Sequence, residues 1–376
     1  MPHALPDWRR GLHLLRWLGP WAGLRAPGGV NRTTLEIPAL SAGERPFGAW
    51  LYVPTACAVA GSVIVAPGLN PLGAADARLV RLATVLASAG IVVCTPFVPD
   101  SLLLQVTEAA IADFQRAVAV FLGRPELPAG RRPGVVSVSF GSLLALRAIA
   151  APALRERVGG AFVFGGYADL DEAVRFALSA APAGTPTDGH DPLNRPLVYM
   201  NLVAHIPGAP EDCTALQEAW LRYVRTTWSD EQYKHNGAHV DVAHAIAVAV
   251  PPAQRELFLR GVGAIACDDH SLIHAALARR GAYFDPRPFL AGVRCPVHLV
   301  HATADCVIPV SQLDLLARAL PAGLPVTVYC TNLFGHAGPR PGFVGAVASL
   351  GGELAIARRI MHGLLLASAD EFRPGP

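Results

Sequence analysis

The stretch Gly134–Ser142 constrains this chain most, because it passes from strand-forming to helix-forming residues without a linker. Its first residues are apolar and β-branched and predict a buried strand, whereas Leu143–Ala148 consists of strong helix formers. A strand that runs directly into a helix needs a sharp turn. We therefore expect Ser139, at the apex, to have strained backbone geometry and an outward side chain. Ser137 and Gly141, two positions before and after it, supply the small residues that such a close approach requires.

The pattern Ser137-x-Ser139-x-Gly141 resembles the nucleophile elbow of the α/β-hydrolases, whose usual form is Gly-x-Ser-x-Gly. Ser137 stands where the family has its first Gly, which adds only two heavy atoms. The resemblance implies a serine esterase or lipase-like fold with Ser139 as the nucleophile. A buried strand that merely contains serines is the alternative for the pattern taken alone.

The rest of the chain alternates between strand and helix patterns, as a doubly wound, mostly parallel α/β sheet requires. Thr33–Ile37 and Ala49–Val53 predict two opening antiparallel strands. Short apolar runs predict the buried strands, and helix formers lie between them; Ser101 is a candidate cap for the helix of which Thr107–Leu122 is the clearest part. The predicted buried strands are Ser62–Ala66, Ile91–Thr95, Ala161–Phe164, Val297–His301 and Val326–Cys330, besides the strand before Ser139.

The alternation stops after the sixth strand, where the family that the chain resembles often carries an inserted cap. From about Tyr167 to about Pro288 the sequence is mostly helical in pattern, with clustered Pro and Gly. We therefore predict four segments: an N-terminal helical segment at residues 1–29, the first part of the α/β-hydrolase core at 30–169, a mainly helical cap at 170–288, and the second part of the core at 289–376.

A serine hydroxyl needs a base to deprotonate it, and that base needs an acid to orient it. In α/β-hydrolases the three follow one another as Ser, then Asp or Glu, then His. Asp305 follows the predicted strand that ends at His301, and His336 follows the one that ends at Cys330. The resemblance thus implies Ser139 as nucleophile, His336 as general base and then acid, and Asp305 as the orienting carboxylate.

The acid and the oxyanion donors have further candidates. Asp169, just after the sixth strand, is the main alternative acid, and Asp171 is a weaker one. The tetrahedral intermediate needs backbone N–H donors. The resemblance implies the amide of Phe140, which opens the helix after the elbow, and the amide of Leu69, in the loop after the first buried strand. Many relatives have a His-Gly in that loop, where this chain has Pro67-Gly68.

Other groups in the cap carry weaker signals. His235 with His239 and His270 with His274 have i,i+4 spacing, which could place two metal ligands on one helix face, but no third ligand has a firm spacing. We therefore predict no metal site, and since the sequence has no Walker or dinucleotide motif, we predict no cofactor. The aromatic residues of the cap region fit a packed core better than a substrate site; they are Tyr167, Tyr199, Trp220, Tyr223, Trp228 and Tyr233.

Composition limits the partners. The net charge is only +2, and no basic stripe is present, so nucleic acid is not expected. Seven scattered cysteines without a CxxC pair favour reduced thiols and a cytoplasmic protein.

Residues 8–24 predict a short helix packed on the domain, with peripheral membrane contact as the alternative. The sequence does not indicate the oligomeric state.

The function expected from these features is hydrolysis of a carboxylic ester through an acyl-enzyme. Charged residues make up only 16% of the chain, which together with the aromatic cap region favours a small-molecule ester with an apolar acyl or alcohol part. Hydrolysis of a thioester, lactone or amide, or acyl transfer, would use the same three residues. A non-catalytic binding protein on the same fold is the alternative of a different class.

Overall fold

The computed structural model describes residues 7–23, 25–179, 191–228, 230–234, 237–265, 271–335, 338–339 and 350–369. Its central sheet has eight strands, and a two-stranded hairpin follows the last of them. The strands are β1 Val30–Ile37, β2 Phe47–Pro54, β3 Gly61–Ala66, β4 Ile91–Pro96, β5 Gly134–Val138, β6 Gly160–Phe164, β7 Val297–Ala302, β8 Val326–Thr331, β9 Phe334–Gly335 and β10 Gly338–Pro339.

The order of the strands across the sheet is β1-β2-β4-β3-β5-β6-β7-β8, and β2 runs opposite to the other seven. Pairing from β4 to β8 is parallel throughout. This mixed, mostly parallel arrangement is the α/β-hydrolase fold, as the resemblance implied. In a parallel sheet the carboxyl ends of all strands lie at one edge, so the loops after β3, β5, β6, β7 and β8 share that edge.

Helices cover both faces of this sheet and fill the segment between β6 and β7. Helix α4 begins one residue after Thr107, whose hydroxyl accepts a hydrogen bond from the amide of Ala110. Ser101 lies inside the preceding short helix, so its expected role as the cap was wrong. The helices are α1 Asp7–Leu18, α2 Ala77–Ser88, α3 Pro99–Leu102, α4 Glu108–Phe121, α5 Gly141–Ala150, α6 Leu170–Leu178, α7 Arg195–Leu202, α8 Thr214–Thr227, α9 Ala238–Ala247, α10 Arg255–Gly261, α11 Ser271–Arg279, α12 Arg287–Leu290, α13 Ser311–Ala319 and α14 Leu350–Ala369.

The alternating side chains of the strands build two separate cores. In β3, Val63 and Val65 pack with α1, α2 and α14 on one face, while Ile64 and Ala66 pack with α4 and α5 on the other. The core that contains Ile64 and Ala66 continues into helices α7–α11, which come from the segment between β6 and β7. That segment contains helices and no strand in its described residues, as the predicted helical cap requires.

Helix α1 packs on the domain through one face only. Leu14 and Leu18 are buried against α14 and α2, whereas Trp8 and Trp21 are more than half exposed. The helix ends at Leu18, directly before Gly19 and Pro20. None of the helices in the described part of the chain combines the length and the apolar character that crossing a bilayer requires. Peripheral membrane contact through residues 8–24 stays a prediction.

A buried histidine near the start of β7 makes stability depend on pH. His298 is 6% exposed, stacks on Tyr329 and packs against Gly363, and its Nδ1 has no hydrogen-bond partner among the described residues. Burial lowers the pKa of His298 to about 4, and the charge of His362 acts in the same direction. The neutral ring is therefore the form that the folded protein accommodates.

Replacing His298 with leucine is expected to make the protein less sensitive to acid. The pKa of His298 in the folded protein lies below its value in the unfolded chain. The stability that the neutral His298 ring allows is therefore complete above about pH 6.5 and is lost as the pH falls towards 4. The loss is at most about 3 kcal/mol. Urea unfolding at pH 7 and pH 4.5 measures it: the free energy of unfolding should fall less for His298→Leu than for the wild type. Equal losses in both proteins would refute the assignment.

Candidate active site

Ser139 occupies a strained turn between β5 and α5. Its φ is +56°, and with Leu104 it is one of two non-glycine residues with positive φ in the described part of the chain. This conformation costs an ordinary residue about 1–2 kcal/mol. Two backbone hydrogen bonds hold it: the amide of Ser139 donates to the carbonyl of Phe164 at 2.8 Å, and the amide of Ser142 donates to the carbonyl of Ser139 at 2.9 Å. The turn has the sharpness that the sequence predicted.

Close approach of the surrounding backbone explains the small residues at this turn. A Cβ on Gly141 would lie 2.5 Å from the carbonyl oxygens of Ala66 and Pro67, so only glycine fits. A Cβ on Gly166, which sequence reasoning missed, would lie 2.9 Å from Cβ of Ser142. Ser137 is fully buried, and its hydroxyl has no hydrogen-bond partner among the described residues. The elbow thus accommodates a serine where the family pattern has glycine.

The loop after β3 lies directly against Ser139. A Cβ on Gly68 would be 3.2 Å from Cβ of Ser139 and from the carbonyl oxygen of Val138. Phe140 has helical backbone angles and directly precedes α5, so its amide belongs to the N-terminal end of that helix, where negative charge is favoured. Leu69 follows Gly68 and lines the same cavities as Phe140. Both candidate oxyanion donors therefore line cavities that start next to the β5–α5 turn.

The support of this loop comes from residues that the sequence did not single out. Asn70 accepts a hydrogen bond from the amide of Leu72 at 2.8 Å and donates to Asp76 at 2.8 Å. Asp76 caps α2 through the amide of Arg78. An Asn after a strand is a common turn residue, so its pattern alone carried no functional signal. These contacts connect the loop after β3 to the start of α2.

Asp305 lies in the loop after β7 with its side chain fully buried. Its Oδ1 accepts hydrogen bonds from the amides of Val307 and Ile308 at 2.8 and 2.9 Å. Its Oδ2 lies 3.4 Å from Nε2 of His301, and the same nitrogen is 3.0 Å from the carbonyl oxygen of Ile308. Because both neighbours of this nitrogen are acceptors, we assign it the proton. The surroundings hold the carboxylate in one orientation.

Asp169, the alternative acid, serves local structure. Its Oδ1 caps α6 by accepting hydrogen bonds from the amides of Asp171 and Glu172, and its Oδ2 pairs with Arg287 at 3.0 Å. Asp171 forms an ion pair with Arg280 at 2.8 Å. Both carboxylates are partly exposed to solvent. These hydrogen bonds and ion pairs give Asp169 and Asp171 each a structural role after β6.

His336 lies outside the described residues, but the chain on both sides of it is placed. Gly335 pairs with Gly338 and Phe334 with Pro339 in the β9–β10 hairpin. The ring of Phe334 packs edge-on against the ring of Phe164, with centroids 6.2 Å apart. The carbonyl of Phe164 is the one that accepts the amide hydrogen of Ser139. The segment that leads to His336 thus starts beside the elbow.

An apolar cavity extends from the two oxyanion candidates towards the helices between β6 and β7. It contains about 530 Å³ of space, part of it open to solvent, and its polar lining residues are Asn194 and Asn201. The side-chain oxygen of Asn201 accepts a hydrogen bond from the amide of Val106, and its Nδ2 donates to the carbonyls of Leu104 and Leu197. The side chain therefore adds little polar character to the cavity. The remaining lining is Leu69, Val106, Phe140, Leu170, Ala173, Val174, Ala177, Leu197, Val198, Leu202, Phe284 and Val307.

The other predicted groups of the cap do not form a site in the described structure. The aromatic residues mostly pack into the core, where the hydroxyl of Tyr167 and the indole N–H of Trp220 bind backbone carbonyls. No three His, Cys, Asp or Glu side chains within the described residues lie close enough to hold a metal ion. His235 and His270, one member of each pair with i,i+4 spacing, lie outside those residues.

Comparison with known proteins gives similarity of fold only. No protein-family model and no curated protein sequence matches the chain. One solved structure that resembles it is a Pyrococcus furiosus esterase, with 11% identity and a TM-score of 0.49; the match covers 89% of this chain and 90% of that one. Another is brefeldin A esterase, a bacterial homologue of human hormone-sensitive lipase, with 15% identity and a TM-score of 0.47; the match covers 98% of this chain and 88% of that one. A third is an acylaminoacyl peptidase from Pyrococcus horikoshii (12%, 0.47), where the match covers 93% of this chain but only 43% of that one. At these values the likeness carries no argument about function, and the fold assignment rests on the strand order.

Proposed function

We propose that this chain is a serine hydrolase that cleaves carboxylic esters through an acyl-enzyme on Ser139. The observation that carries the proposal is the positive φ of Ser139 at the β5–α5 turn, beside an apolar cavity lined by Leu69 and Phe140. Backbone strain of this kind persists only where the surrounding structure enforces it, and it concentrates at functional sites. Leu104 also has a positive φ, but of the two residues only Ser139 lies at the turn between a strand of the central sheet and the helix that follows it.

In the proposed reaction, Oγ of Ser139 attacks the ester carbonyl carbon while its proton passes to His336. The amides of Phe140 and Leu69 donate hydrogen bonds to the oxyanion. Asp305 keeps His336 in the correct tautomer and stabilises its protonated form. The carbon–oxygen bond then breaks, and the alcohol leaves with the proton from His336. A water molecule, deprotonated by His336, cleaves the acyl-enzyme and restores the serine.

The cavity favours an ester with an apolar chain. Its lining is almost entirely aliphatic or aromatic, and burial of each methylene contributes about 0.8 kcal/mol to binding. A charged substituent would be desolvated there without a partner, which is costly. In the proposed binding mode the acyl chain enters the cavity, and the carbonyl lies at the end where Leu69 and Phe140 are.

Turnover of a panel of p-nitrophenyl esters from acetate to laurate tests the proposal. We expect kcat/KM to rise with chain length and then to fall when the cavity is full. Acid quenching during turnover should leave an added acyl mass on the peptide that contains Ser139. Parallel assays with thioester, lactone and amide substrates, and with alcohols as acyl acceptors, distinguish ester hydrolysis from these related reactions. Binding of these esters without any turnover would instead support a non-catalytic binding protein.

Replacing Ala177 with phenylalanine is expected to shorten the preferred chain. Ala177 lines the cavity from α6 and is half-buried, so the larger ring can occupy space that a long acyl chain needs. The ratio of kcat/KM for laurate to that for acetate should fall at least about tenfold. Ala245→Phe, on the exposed side of α9, is the matched control and should keep the wild-type ratio. An unchanged ratio in Ala177→Phe would show that the acyl chain binds elsewhere.

A further inference from the structure

A buried carboxylate at the start of α14 binds the end of β8. Glu353 is 7% exposed, although glutamate is rarely buried without partners. Its Oε2 accepts hydrogen bonds from the hydroxyl of Thr331 at 3.0 Å and from the amide of Asn332 at 3.3 Å. Its Oε1 accepts a hydrogen bond from Nδ2 of Asn332 at 2.9 Å. All three donors belong to the last residue of β8 and the residue that follows it.

The same two residues are also bound from β7. The amide of Thr303 donates to the carbonyl of Thr331 at 3.0 Å, and its hydroxyl contacts that carbonyl at 3.1 Å and also Oδ1 of Asn332. Asn332 therefore lies between Thr303 and Glu353 and bonds with both. We refer to Thr303, Thr331, Asn332 and Glu353 as the strand-end clamp.

The position of the clamp in the chain suggests what it does. Thr303 is two residues before Asp305, and Asn332 is four residues before His336. Each loop therefore leaves the sheet directly from a residue of the clamp. The carboxylate of Glu353 binds the β8 side, and Asn332 links that side to Thr303 after β7. Productive geometry in an active site must be held to about 0.5 Å, which short loops achieve only when their bases are fixed.

We propose that the strand-end clamp is a positioning device that sets the loop of Asp305 relative to the loop of His336. This inference rests on the proposed function, because it assigns the clamp an effect on the hydrolytic step. Its members do not touch the reacting atoms. Loss of the clamp should therefore lower kcat and leave KM for the same ester nearly unchanged, since the cavity does not include any of its residues.

An exchange of donor and acceptor between two members tests this proposal. Asn332→Asp alone places two carboxylates about 2.9 Å apart, where Asn332 now donates to Glu353. We expect kcat to fall about 10- to 100-fold, with KM changed less than about twofold. Adding Glu353→Gln restores a donor: the glutamine amide can donate to the introduced aspartate, while its oxygen still accepts from Thr331. The double variant should recover kcat to within about threefold of the wild type.

Two control variants separate positioning from charge and from general loss of stability. Asn31→Asp, on the exposed side of β1, adds the same charge far from the clamp. Val85→Ala removes two buried methyl groups from α2, an element that contributes no residue to the clamp, and lowers the free energy of unfolding. Both should keep the wild-type kcat at temperatures where they remain folded. Rescue by the double variant is a result that simple destabilisation would not give.

The possible outcomes are distinct. The proposal is overturned if folded Asn332→Asp keeps the wild-type kcat, if the double variant is not rescued, or if Val85→Ala loses as much kcat at an equal loss of Tm. Failure of the proposed function is seen earlier and separately, because the wild type itself would then turn over none of the esters.

Discussion

Replacing Ser139 with alanine is expected to abolish ester hydrolysis, lowering kcat by at least about 10⁴-fold. The hydroxyl oxygen is the attacking atom in the proposed mechanism, and the variant keeps the base, the acid, the oxyanion donors and the cavity without a nucleophile. The fold should not change, because the small alanine side chain retains the φ of +56° that the turn imposes. Steady-state kinetics with the preferred ester of the panel measure the effect.

A matched serine variant and a glycine variant complete this experiment. Ser62→Ala, in buried β3, removes a hydroxyl that has no hydrogen-bond partner among the described residues and should keep full activity. Ser139→Gly should be inactive and more stable than the wild type by about 1 kcal/mol, because glycine adopts positive φ without strain. Substantial activity in Ser139→Ala would remove this serine from the mechanism.

Replacing Asp305 with asparagine is expected to lower kcat about 10³- to 10⁴-fold. An asparagine oxygen can still accept the hydrogen bonds from the amides of Val307 and Ile308, which hold the loop, but its amide nitrogen would face the N–H of His301, so some stability is lost. The negative charge that stabilises protonated His336 is lost, and the amide group favours the wrong tautomer of its ring. Kinetics of the folded variant, with Tm measured in parallel, test the expectation.

Asp169→Asn is the comparison that decides between the two acids. Asparagine caps helices about as well as aspartate, so α6 should keep its N-terminus. Only the partly exposed ion pair with Arg287 is lost, which changes stability by less than about 1 kcal/mol. We therefore expect kcat within a few-fold of the wild type. If Asp169→Asn is inactive while Asp305→Asn is active, the assignment of the acid is wrong.

The central fold could be predicted from the sequence because its signals are local. Each buried strand is a short apolar run, and the passage from Val138 to Leu143 contains both the end of a strand and the start of a helix. The position of Ser139 at a strained turn follows from that passage alone. The helix cap at Thr107 was missed because Ser101 and Thr107 are both good caps, and only the path of the chain decides between them.

The supporting contacts of the site could not be predicted, because they join residues far apart in the chain. Glu353 and Asn332 are separated by 21 positions, and Asp169 and Arg287 by 118. Neither Asn70 nor Gly166 belongs to a pattern with a known chemical role. The lining of the cavity likewise depends on how the helices between β6 and β7 pack over the elbow, which residue spacing alone does not determine.

Labelling with a fluorophosphonate probe tests the central claim most directly, because the probe reacts with an activated serine and needs no knowledge of the natural substrate. The folded wild type should acquire one adduct, mapped by peptide mass spectrometry to Ser139. The adduct should be absent from Ser139→Ala and from urea-unfolded protein, and it should form much more slowly in His336→Ala. Folded wild-type protein that acquires no adduct, or an adduct that forms on another serine and persists in Ser139→Ala, would contradict the proposed function.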